Sequence, residues 1–393
     1  MKMIKTVRDL NIKNKRVIIR VDFNVPMEEG KITDDTRIVA ALETINYCID
    51  NDSRIILLSH LGRVKEPRDL EKNDLAPVAE RLSKLLKKEV LFSEKTRGAH
   101  LEEMAANMKA GDVLLVQNTR YEDLDGKKES SNEPELGKYW SSFGDVFIND
   151  AFGTIHRAHA SNCGIAKYLP SAFGFLVEKE LKALRELDHP DHPFVVILGG
   201  AKVADKIGVI ENIVNKADKI LIGGGMAFTF LKAQGYEIGK SLLDEENIAF
   251  CKKMLEEYPN KIVLPVDVAV TKEYTNDENY LIRSINSISE DLMGLDIGPD
   301  TLRNFENNLN GASIVLWNGP LGVYEFDKYK VNTDKLLNYL VDNNIKTILG
   351  GGDIVAAATK AGVKDKVFHA STGGGATLEY LEGKTLPGIN AIM

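Results

Sequence analysis

Short runs rich in β-branched residues alternate with amphipathic helical patterns along the whole chain. Continuous apolar runs of this length are typical of strands that are buried on both faces of a parallel sheet. The alternation therefore predicts an α/β fold with two Rossmann-like domains that have parallel-sheet cores. The predicted strands are Arg16–Val21, Arg54–Leu58, Val113–Val116, Asp145–Ile148, Phe194–Leu198, Lys219–Ile222, Lys261–Leu264, Ser313–Leu316 and Lys346–Leu349.

The predicted boundary between the domains lies at a helix that begins near Gly174. Residues 175–187 have a helical apolar pattern, and the two prolines in 188–193 cannot continue a helix. A chain of 393 residues is also long enough for two domains. The sequence thus predicts an N-terminal domain at 1–173, an interdomain helix or hinge at 174–188, a C-terminal domain at 189–380 and a final segment at 381–393.

The charge balance and the cysteines argue against several classes of protein. Acidic residues outnumber basic ones by 58 to 50, a net charge of −8, whereas binding to nucleic acid or to a membrane surface needs a basic face. The three cysteines form no CxxC pair, which favours reduced thiols over a disulfide framework or a thiolate metal site. No apolar run is long enough to span a membrane. We therefore expect a cytoplasmic protein with no nucleic-acid or membrane partner.

Glycine-rich turns follow three strands of the second half. They occupy 199–200, 223–225 and 350–352, and a fourth glycine run at 373–375 precedes another helical stretch. Glycine lets the backbone approach a ligand closely, and a helix that begins there directs its free N–H groups at an anion. The carboxyl ends of parallel strands lie along one edge of the sheet, so these turns predict a nucleotide site.

The glycine spacing departs from the common nucleotide-binding motifs. The dinucleotide pattern GxGxxG needs glycine at its sixth position. In the three glycine runs that position holds Phe228, Val355 and Leu378. The segment 235–241 resembles a Walker A loop but has one residue too few between its glycines. The function of a nicotinamide-dependent oxidoreductase stays open as an alternative, because such enzymes share the α/β pattern and the glycine turns with other nucleotide-binding proteins.

Arginines take the place of glycines at the strand ends of the first half. Arg63, Arg120 and Arg157 each follow a predicted strand, and Arg37 stands at the start of a predicted helix. Guanidinium groups that converge at one sheet edge repel each other unless an anion joins them, and their planar forks suit phosphate and carboxylate. The sequence therefore predicts a site for a small anionic substrate in this half.

The histidines of the first half are assigned to the substrate site rather than to a metal. His156 and His159 are three residues apart, but Arg157 between them disfavours a cation and no third ligand completes the set. We expect His60 and His159 to contact the substrate or to support it.

Taken together, eight segments are similar to those of the phosphoglycerate kinase family, in the same order and over essentially the whole chain. They are RVDFNVP at 20–26, SHLGR at 59–63, NDAFGTIHRAHAS at 149–161, LGGAKVADKI at 198–207, GGGMAFTFLK at 223–232, WNGPLGVYE at 317–325, GGGD at 350–353 and STGGGATLE at 371–379. The resemblance implies two α/β domains, a hinge between them, a C-terminal segment that returns to the first domain, and a monomer. It also implies reversible phosphoryl transfer between 1,3-bisphosphoglycerate and ADP, giving 3-phosphoglycerate and ATP.

The resemblance also implies the site residues. The 3-phosphoglycerate site comprises Asp22, Phe23, Asn24, Arg37, His60, Leu61, Gly62, Arg63, Arg120 and Arg157. The nucleotide site comprises Gly200, Ala201, Lys202, Lys206, Gly224, Gly294, Asn318, Pro320, Val323, Glu325, Gly351, Gly352, Asp353 and Ile354. Catalysis is assigned to Arg37, Lys202, Lys206 and the N–H groups of Gly373, Gly374 and Gly375, and Asp353 is the expected ligand of the nucleotide-borne Mg²⁺.

Two residues depart from the family pattern. Val64 replaces the usual proline after the SHLGR arginine, which predicts a looser loop. Ile354 replaces the usual Ser or Thr after GGGD, which predicts a missing hydroxyl near the phosphates and a loss of about 0.5–1.5 kcal/mol in nucleotide affinity. A catalytically inactive protein on the same scaffold is the other alternative, but the arginines and lysines required for phosphoryl transfer are all present.

Overall fold

The computed structural model describes residues 4–393, which form two compact units. The first unit ends at Leu181 and resumes at Thr385, and the second unit covers Lys182–Lys384. Each unit is built on a six-stranded sheet in which every neighbouring pair of strands is parallel. The predicted α/β class with two Rossmann-like cores is confirmed.

The sheet of the first unit has the strand order β5-β6-β4-β1-β7-β8. A small hairpin, β2 with β3, lies outside it. The strands are β1 (Arg16–Val21), β2 (Met27–Glu28), β3 (Lys31–Ile32), β4 (Arg54–Leu58), β5 (Val90–Ser93), β6 (Val113–Val116), β7 (Val146–Asp150) and β8 (Ser171–Phe173).

Helices cover both faces of this sheet, which is why its strands are largely apolar. Along β1 the side chains of Val17, Ile19 and Val21 belong to one core cluster, whereas that of Ile18 belongs to the cluster on the opposite face. This is the two-residue alternation of a strand. The helices are α1 (Thr36–Asp50), α2 (Arg68–Lys72), α3 (Ala76–Leu86), α4 (Ala99–Asn107) and α5 (Pro134–Ser141).

The predicted interdomain helix is α6 (Phe175–Arg185), and the boundary between the units falls inside it. Its first turn is anchored in the first unit, because Asp150 at the end of β7 accepts hydrogen bonds from the backbone N–H groups of Leu176 (3.0 Å) and Val177 (3.3 Å). A carboxylate in this position satisfies the free N–H groups of a helix start.

The parallel sheet of the second unit has the order β11-β10-β9-β15-β16-β17, and β13-β12-β14 form a separate antiparallel sheet. The strands are β9 (Phe194–Leu198), β10 (Lys219–Ile222), β11 (Ile262–Val263), β12 (Asp267–Thr271), β13 (Leu281–Ser284), β14 (Met293–Ile297), β15 (Ile314–Asn318), β16 (Thr347–Leu349) and β17 (His369–Ala370). The helices are α7 (Ile207–Ile213), α8 (Met226–Ala233), α9 (Ile248–Glu257), α10 (Pro299–Leu309), α11 (Val331–Asp342), α12 (Gly352–Lys360) and α13 (Gly375–Leu381).

Each of the nine predicted strands overlaps a strand of the two parallel sheets. The prediction missed the antiparallel sheet, and it missed the short strands β2, β3, β5, β8 and β17, which have two to four residues each. Runs this short carry too little periodicity to be distinguished from loops.

The chain ends in the first unit. The return begins at Thr385, so residues 381–384, which the sequence assigned to the final segment, lie in the second unit. A short helix, α14 (Pro387–Asn390), follows, and the N–H of Gly388 donates to the carbonyl oxygen of Ile155 (2.8 Å). Within the described residues no helix combines the length and the apolar character that a membrane span requires.

Candidate active site

In the first unit, the segments after β1 and β4 lie side by side and are joined by polar contacts. The N–H of Phe23 donates to Ser59 Oγ (2.8 Å), and the N–H of Gly62 donates to Asn24 Oδ1 (2.8 Å). Arg37, in the first turn of α1, donates from Nη1 to Asp22 Oδ2 (2.7 Å) and stays partly exposed. The structure thus brings Asp22, Asn24, Arg37 and Gly62 to one sheet edge, as predicted for parallel strands.

The turn after β6 supplies Arg120, which is 8% exposed. Its Nη1 donates to Asp123 Oδ2 (2.7 Å) and to the hydroxyl of Ser130. Its Nε–H is buried and has no hydrogen-bond partner among the described residues. A buried donor without a partner costs free energy, so this N–H is an unused hydrogen-bond donor at the end of β6.

The positive charges surround His60, which is 6% exposed. Burial, followed by Arg20, Arg120, His159 and Arg157, holds the pKa of His60 well below its ordinary value. Arg120 and Arg157 are therefore close enough to act electrostatically on the same imidazole ring. The ring of His60 is neutral near pH 7. Phe23 and Leu61 have buried side chains, so they shape this edge through their backbone.

Arg63 is predicted for the same site, but its side chain is exposed. The loop that carries it is well bonded, since Asn73 donates to the carbonyl oxygen of Arg63 (3.2 Å) and the N–H of Lys65 donates to Asp69 (2.8 Å). Val64 is buried with 4% exposure. Apolar packing of Val64 and these two hydrogen bonds hold the loop, and its expected looseness relative to a loop with proline at this position stays a prediction.

Sequence reasoning missed Arg20, which lies inside β1 and is 1% exposed. Its Nε donates to Ser161 Oγ (2.8 Å), and its Nη2 lies 3.2 Å from His60 Nδ1. The available signal was the second arginine of RVIIRV, which stands between apolar residues, since a charged residue inside a strand covered on both faces must be paired within the protein.

His159 gives the first unit a measurable pH dependence. Burial, together with Arg120 and Arg20, lowers the pKa of His159 to about 3, so the folded protein does not bind the proton that the unfolded chain binds below about pH 6.5. Stability is therefore complete above that pH and decreases as the pH falls, by about 1.4 kcal/mol per pH unit. Between pH 7 and pH 5 the free energy of unfolding of the wild type should fall, and the fall should be about 1–2 kcal/mol smaller in His159→Gln. Urea denaturation at both pH values measures the two changes.

The control for this measurement is His100→Gln, because His100 is exposed on α4 of the same unit. The control should follow the wild type at both pH values. An equal loss of stability in the wild type and in His159→Gln would contradict the assignment of this acid sensitivity to His159.

In the second unit, the strand ends enclose a cavity of about 430 Å³. It is lined by Gly200, Ala201, Gly224, Gly225, Lys240, Leu242, Tyr274, Met293, Gly294, Leu295, Pro320, Gly322, Val323, Glu325 and Asp353. Eight of these fifteen residues were predicted for the nucleotide site and seven were not. Of the seven, Lys240, Leu242, Tyr274 and Met293 come from outside the glycine-rich segments, and the others are Gly225, Leu295 and Gly322. The size and the largely apolar wall suit a purine base with its ribose.

Close backbone contacts explain the glycines of this cavity. A Cβ on Gly199 would lie 2.0 Å from the carbonyl oxygen of Pro320, and one on Gly224, whose φ is +66°, would lie 2.7 Å from Gly200. A Cβ on Gly294 would lie 2.0 Å from the ring of Phe228, which packs behind the cavity wall. Side chains at these positions would push the strand ends apart or fill the pocket.

A second, smaller cavity of about 270 Å³ lies at the N-termini of α12 and α13. Its lining includes Lys206, Asn318, Gly351, Gly352, Asp353, Gly374 and Gly375. Asp353 lines both cavities, so they adjoin at this residue. Burial lowers the pKa of Lys206, against the opposing effects of Asp205, Asp353 and Glu382. A cation and two helix N-termini at one small cavity are features that suit phosphate groups.

Comparison with known proteins gives this arrangement a family. Residues 7–384 match the sequence model described as "Phosphoglycerate kinase". The chain belongs to the phosphoglycerate kinase family. The phosphoglycerate kinases of Listeria innocua and of a bovine Staphylococcus aureus strain are each 57% identical, over 390 and 392 residues, with 99% of this chain and 98% of each relative covered.

Solved structures agree with this assignment. The phosphoglycerate kinase of Coxiella burnetii superposes with a TM-score of 0.91 at 39% identity and covers 99% of both chains. That of Pyrococcus horikoshii superposes with a TM-score of 0.84 at 32% identity, over 99% of this chain and 98% of the other. The nicotinamide-dependent alternative has no support.

Three structural details concern the phosphoglycerate kinase residues expected from sequence. The Ile354 side chain is fully buried in the hydrophobic core of the second unit, and the loss of nucleotide affinity expected from the missing hydroxyl stays a prediction. Only the backbone N–H of Ile354 lies at the start of α12. The N–H of Gly373 donates to Ser371 Oγ (3.2 Å) and is therefore already engaged, and Lys202 is exposed and lines neither cavity.

The residues present fit a Mg²⁺ ion that arrives with the nucleotide. Among the described residues no cluster of three or more His, Cys, Asp or Glu side chains could hold a metal by itself. Asp353 instead offers one carboxylate at the junction between the base cavity and the phosphate cavity. Mg²⁺ is commonly bound through one or two carboxylates together with substrate phosphates.

Proposed function

We propose that the protein is a phosphoglycerate kinase that transfers a phosphoryl group reversibly between 1,3-bisphosphoglycerate and ADP, giving 3-phosphoglycerate and ATP. The observation that carries this proposal is membership of that family over residues 7–384. The arginines of the first unit and the two adjoining cavities of the second unit provide separate sites for the two substrates. We place the reaction in glycolysis and gluconeogenesis.

Binding of 3-phosphoglycerate is assigned to the cationic sheet edge of the first unit. Arg120 offers its unpartnered Nε–H, and Arg37 keeps part of its guanidinium exposed while Asp22 orients it. Arginine forks suit both anionic groups of this substrate. His60 is neutral, so it contributes a hydrogen bond rather than a charge.

The chemistry needs no general base from the protein. The nucleophile is the carboxylate of 3-phosphoglycerate, which is ionised near neutral pH. What the protein must supply is alignment and stabilisation of the negative charge on the transferring phosphoryl group. We assign this work to Arg37 from the first unit, and to Lys206 with the N–H groups of Gly374 and Gly375 from the second. Direct transfer also requires that the two substrates meet with water excluded.

Mg²⁺ is the expected cofactor and would neutralise phosphate charge in the bound nucleotide. We expect Mg²⁺ to raise the affinity of the wild-type protein for ADP. In Asp353→Asn the ratio of the affinities with and without Mg²⁺ should be at least tenfold smaller, equivalent to about 1.4 kcal/mol. Isothermal titration calorimetry of ADP binding, with Mg²⁺ and with EDTA, measures both values without turnover. Asp365→Asn is the control, because Asp365 lies on a turn after α12 and lines neither cavity. An unchanged enhancement in Asp353→Asn would contradict the assignment.

The direct test of function is a coupled assay for ATP-dependent phosphorylation of 3-phosphoglycerate. We expect activity that requires ATP, Mg²⁺ and 3-phosphoglycerate together. If the folded protein shows no activity with ATP, Mg²⁺ and 3-phosphoglycerate together, the proposal is rejected. By family expectation we also propose a cytoplasmic monomer, for which light scattering should give a mass near 43.5 kDa.

A further inference from the structure

The Nδ1 atom of His60 contacts a group that can donate a hydrogen bond but cannot accept one. Arg20 Nη2 lies 3.2 Å from His60 Nδ1. A guanidinium has N–H donors and no acceptor, so His60 Nδ1 must accept this hydrogen bond through its lone pair. Nδ1 therefore carries no proton as long as Arg20 stays in place.

The other ring nitrogen must then carry the single proton. Burial and the neighbouring Arg20 and Arg120 hold the pKa of His60 well below its ordinary value, so the ring is neutral near pH 7. A neutral imidazole carries one proton, and with Nδ1 accepting it lies on Nε2. Nε2 is thus a hydrogen-bond donor. In the opposite tautomer Nε2 would present a lone pair, which repels an anion.

Arg20 is in turn held by a buried hydroxyl. It is 1% exposed, and its Nη1 donates to the carbonyl oxygen of Val21 while its Nε donates to Ser161 Oγ (2.8 Å). With one contact at each nitrogen, the guanidinium has one orientation. Its contacts are all internal, so Arg20 is placed to orient His60 rather than to bind substrate.

Ser161 is oriented by a buried carboxyl. Both its backbone N–H (2.9 Å) and its hydroxyl donate to Glu129, which is 0% exposed. Because the Ser161 proton is directed to Glu129, the hydroxyl oxygen is left to accept from Arg20. Ser161 lies in the π-helical turn Ala160–Gly164, a distortion that often marks functional sites. Burial raises the pKa of Glu129, and this rise is opposed by Arg20 and by the two hydrogen bonds from Ser161. In its ionised form Glu129 is the counter-charge that a buried guanidinium requires.

We propose that Glu129, Ser161 and Arg20 are positioning residues that hold His60 as its Nε2–H tautomer, so that His60 donates a hydrogen bond to the anionic substrate. The three residues and His60 are called the Glu129 relay. No proton is transferred along it; each member fixes the donor and acceptor roles of the next. The part of the proposal that concerns substrate rests on the proposed function, whereas the tautomer is a property of the free protein.

The tautomer can be measured without activity. Nitrogen-15 NMR of the His60 ring at pH 7, assigned with His60→Gln, should show a protonated Nε2 and an unprotonated Nδ1 in the wild type. Ser161→Ala should populate the Nδ1–H tautomer, and Glu129→Gln, which keeps the shape of the side chain, should shift the signal in the same direction. Ser53→Ala, another fully buried serine of this unit, should leave it unchanged. A protonated Nδ1 in the wild type, or an unchanged ring signal in both relay variants, would overturn the proposal.

Kinetics tests the consequence for substrate. We expect Ser161→Ala to raise KM for 3-phosphoglycerate about tenfold and to leave kcat within about twofold, since a ground-state hydrogen bond is lost. The side-chain amide of Gln can donate from nearly the place of His60 Nε2 but has no tautomers. In a His60→Gln background, Ser161→Ala should therefore raise KM by less than about twofold.

Two outcomes of the cycle are decisive. The same rise of KM in both backgrounds would show that Ser161 acts by general support of the fold, and would overturn the relay. A fall in kcat at constant KM would do the same. If the wild-type protein does not phosphorylate 3-phosphoglycerate at all, the proposed function fails, while the NMR measurement still decides the tautomer. Circular dichroism checks that each variant is folded, and Glu129→Gln replaces Ser161→Ala if the latter is not.

Discussion

Arg37→Ala should lower kcat for phosphorylation of 3-phosphoglycerate by about a thousandfold and leave the protein folded. Removal of a cation that stabilises charge on a transferring phosphoryl group commonly costs three orders of magnitude or more. The partly exposed Arg37 contributes little to folding, since its one ion pair, with Asp22, is near the surface. Steady-state kinetics with saturating ATP and Mg²⁺ measures the loss, and thermal denaturation measures the fold.

The matched control is Arg81→Ala. Arg81 lies in the same unit, pairs with Asp35 at 2.6 Å and has a side-chain exposure of 43%, against 41% for Arg37. Both variants remove one exposed arginine from one aspartate, so they should cost similar small amounts of stability. Only Arg37→Ala should lose turnover. Full activity of Arg37→Ala would remove this residue from the catalytic set.

Gly199→Ala should destabilise the second unit by at least about 3 kcal/mol, at the upper end of overpacking substitutions. The new Cβ would lie 2.0 Å from the carbonyl oxygen of Pro320 and 2.7 Å from that of Gly319. The backbone cannot yield without loss of the hydrogen bonds from Gly199 N–H to Asn318 (2.9 Å) and from Gly200 N–H to Pro320 (3.0 Å). We expect a decrease in Tm of roughly 6–12 °C by scanning calorimetry and weaker ADP binding.

Gly350→Ala is the corresponding control. Gly350 follows β16 as Gly199 follows β9, but a Cβ there would meet the ends of two flexible side chains, Leu381 at 3.2 Å and Thr377 at 3.4 Å. Those side chains can move by a few tenths of an ångström, so we expect a loss below about 1 kcal/mol. Equal effects of the two substitutions would contradict the backbone contact as the cause.

The pocket of the second unit was predicted in part from the sequence. The glycine turns of the second unit were correctly linked to a pocket, because a glycine run after a buried strand has few other causes. Lys240, Leu242, Tyr274 and Met293 were missed, because they reach that pocket from loops and from the antiparallel sheet. Nothing in their local sequence distinguishes a cavity wall from an ordinary surface.

Ile354 and Gly373 illustrate a second limit of sequence. Each stands in a motif segment, and each was assigned a ligand contact by its position in that motif. The fold buries the Ile354 side chain in the core, and the Gly373 N–H donates to Ser371. Position along a helix start decides which groups face a ligand, and a one-residue step turns a side chain by about 100°.

The sequence by itself determined the α/β class, the two parallel sheets, the family and the separation of an arginine half from a glycine half. These follow from local periodicity and from residue types at strand ends, which are properties of adjacent residues. Only the tertiary structure decided that Arg20, Ser161, Glu129 and His60 form one buried chain. These residues are up to 141 positions apart, and the roles of donor and acceptor depend on distances of about 3 Å that no local pattern encodes.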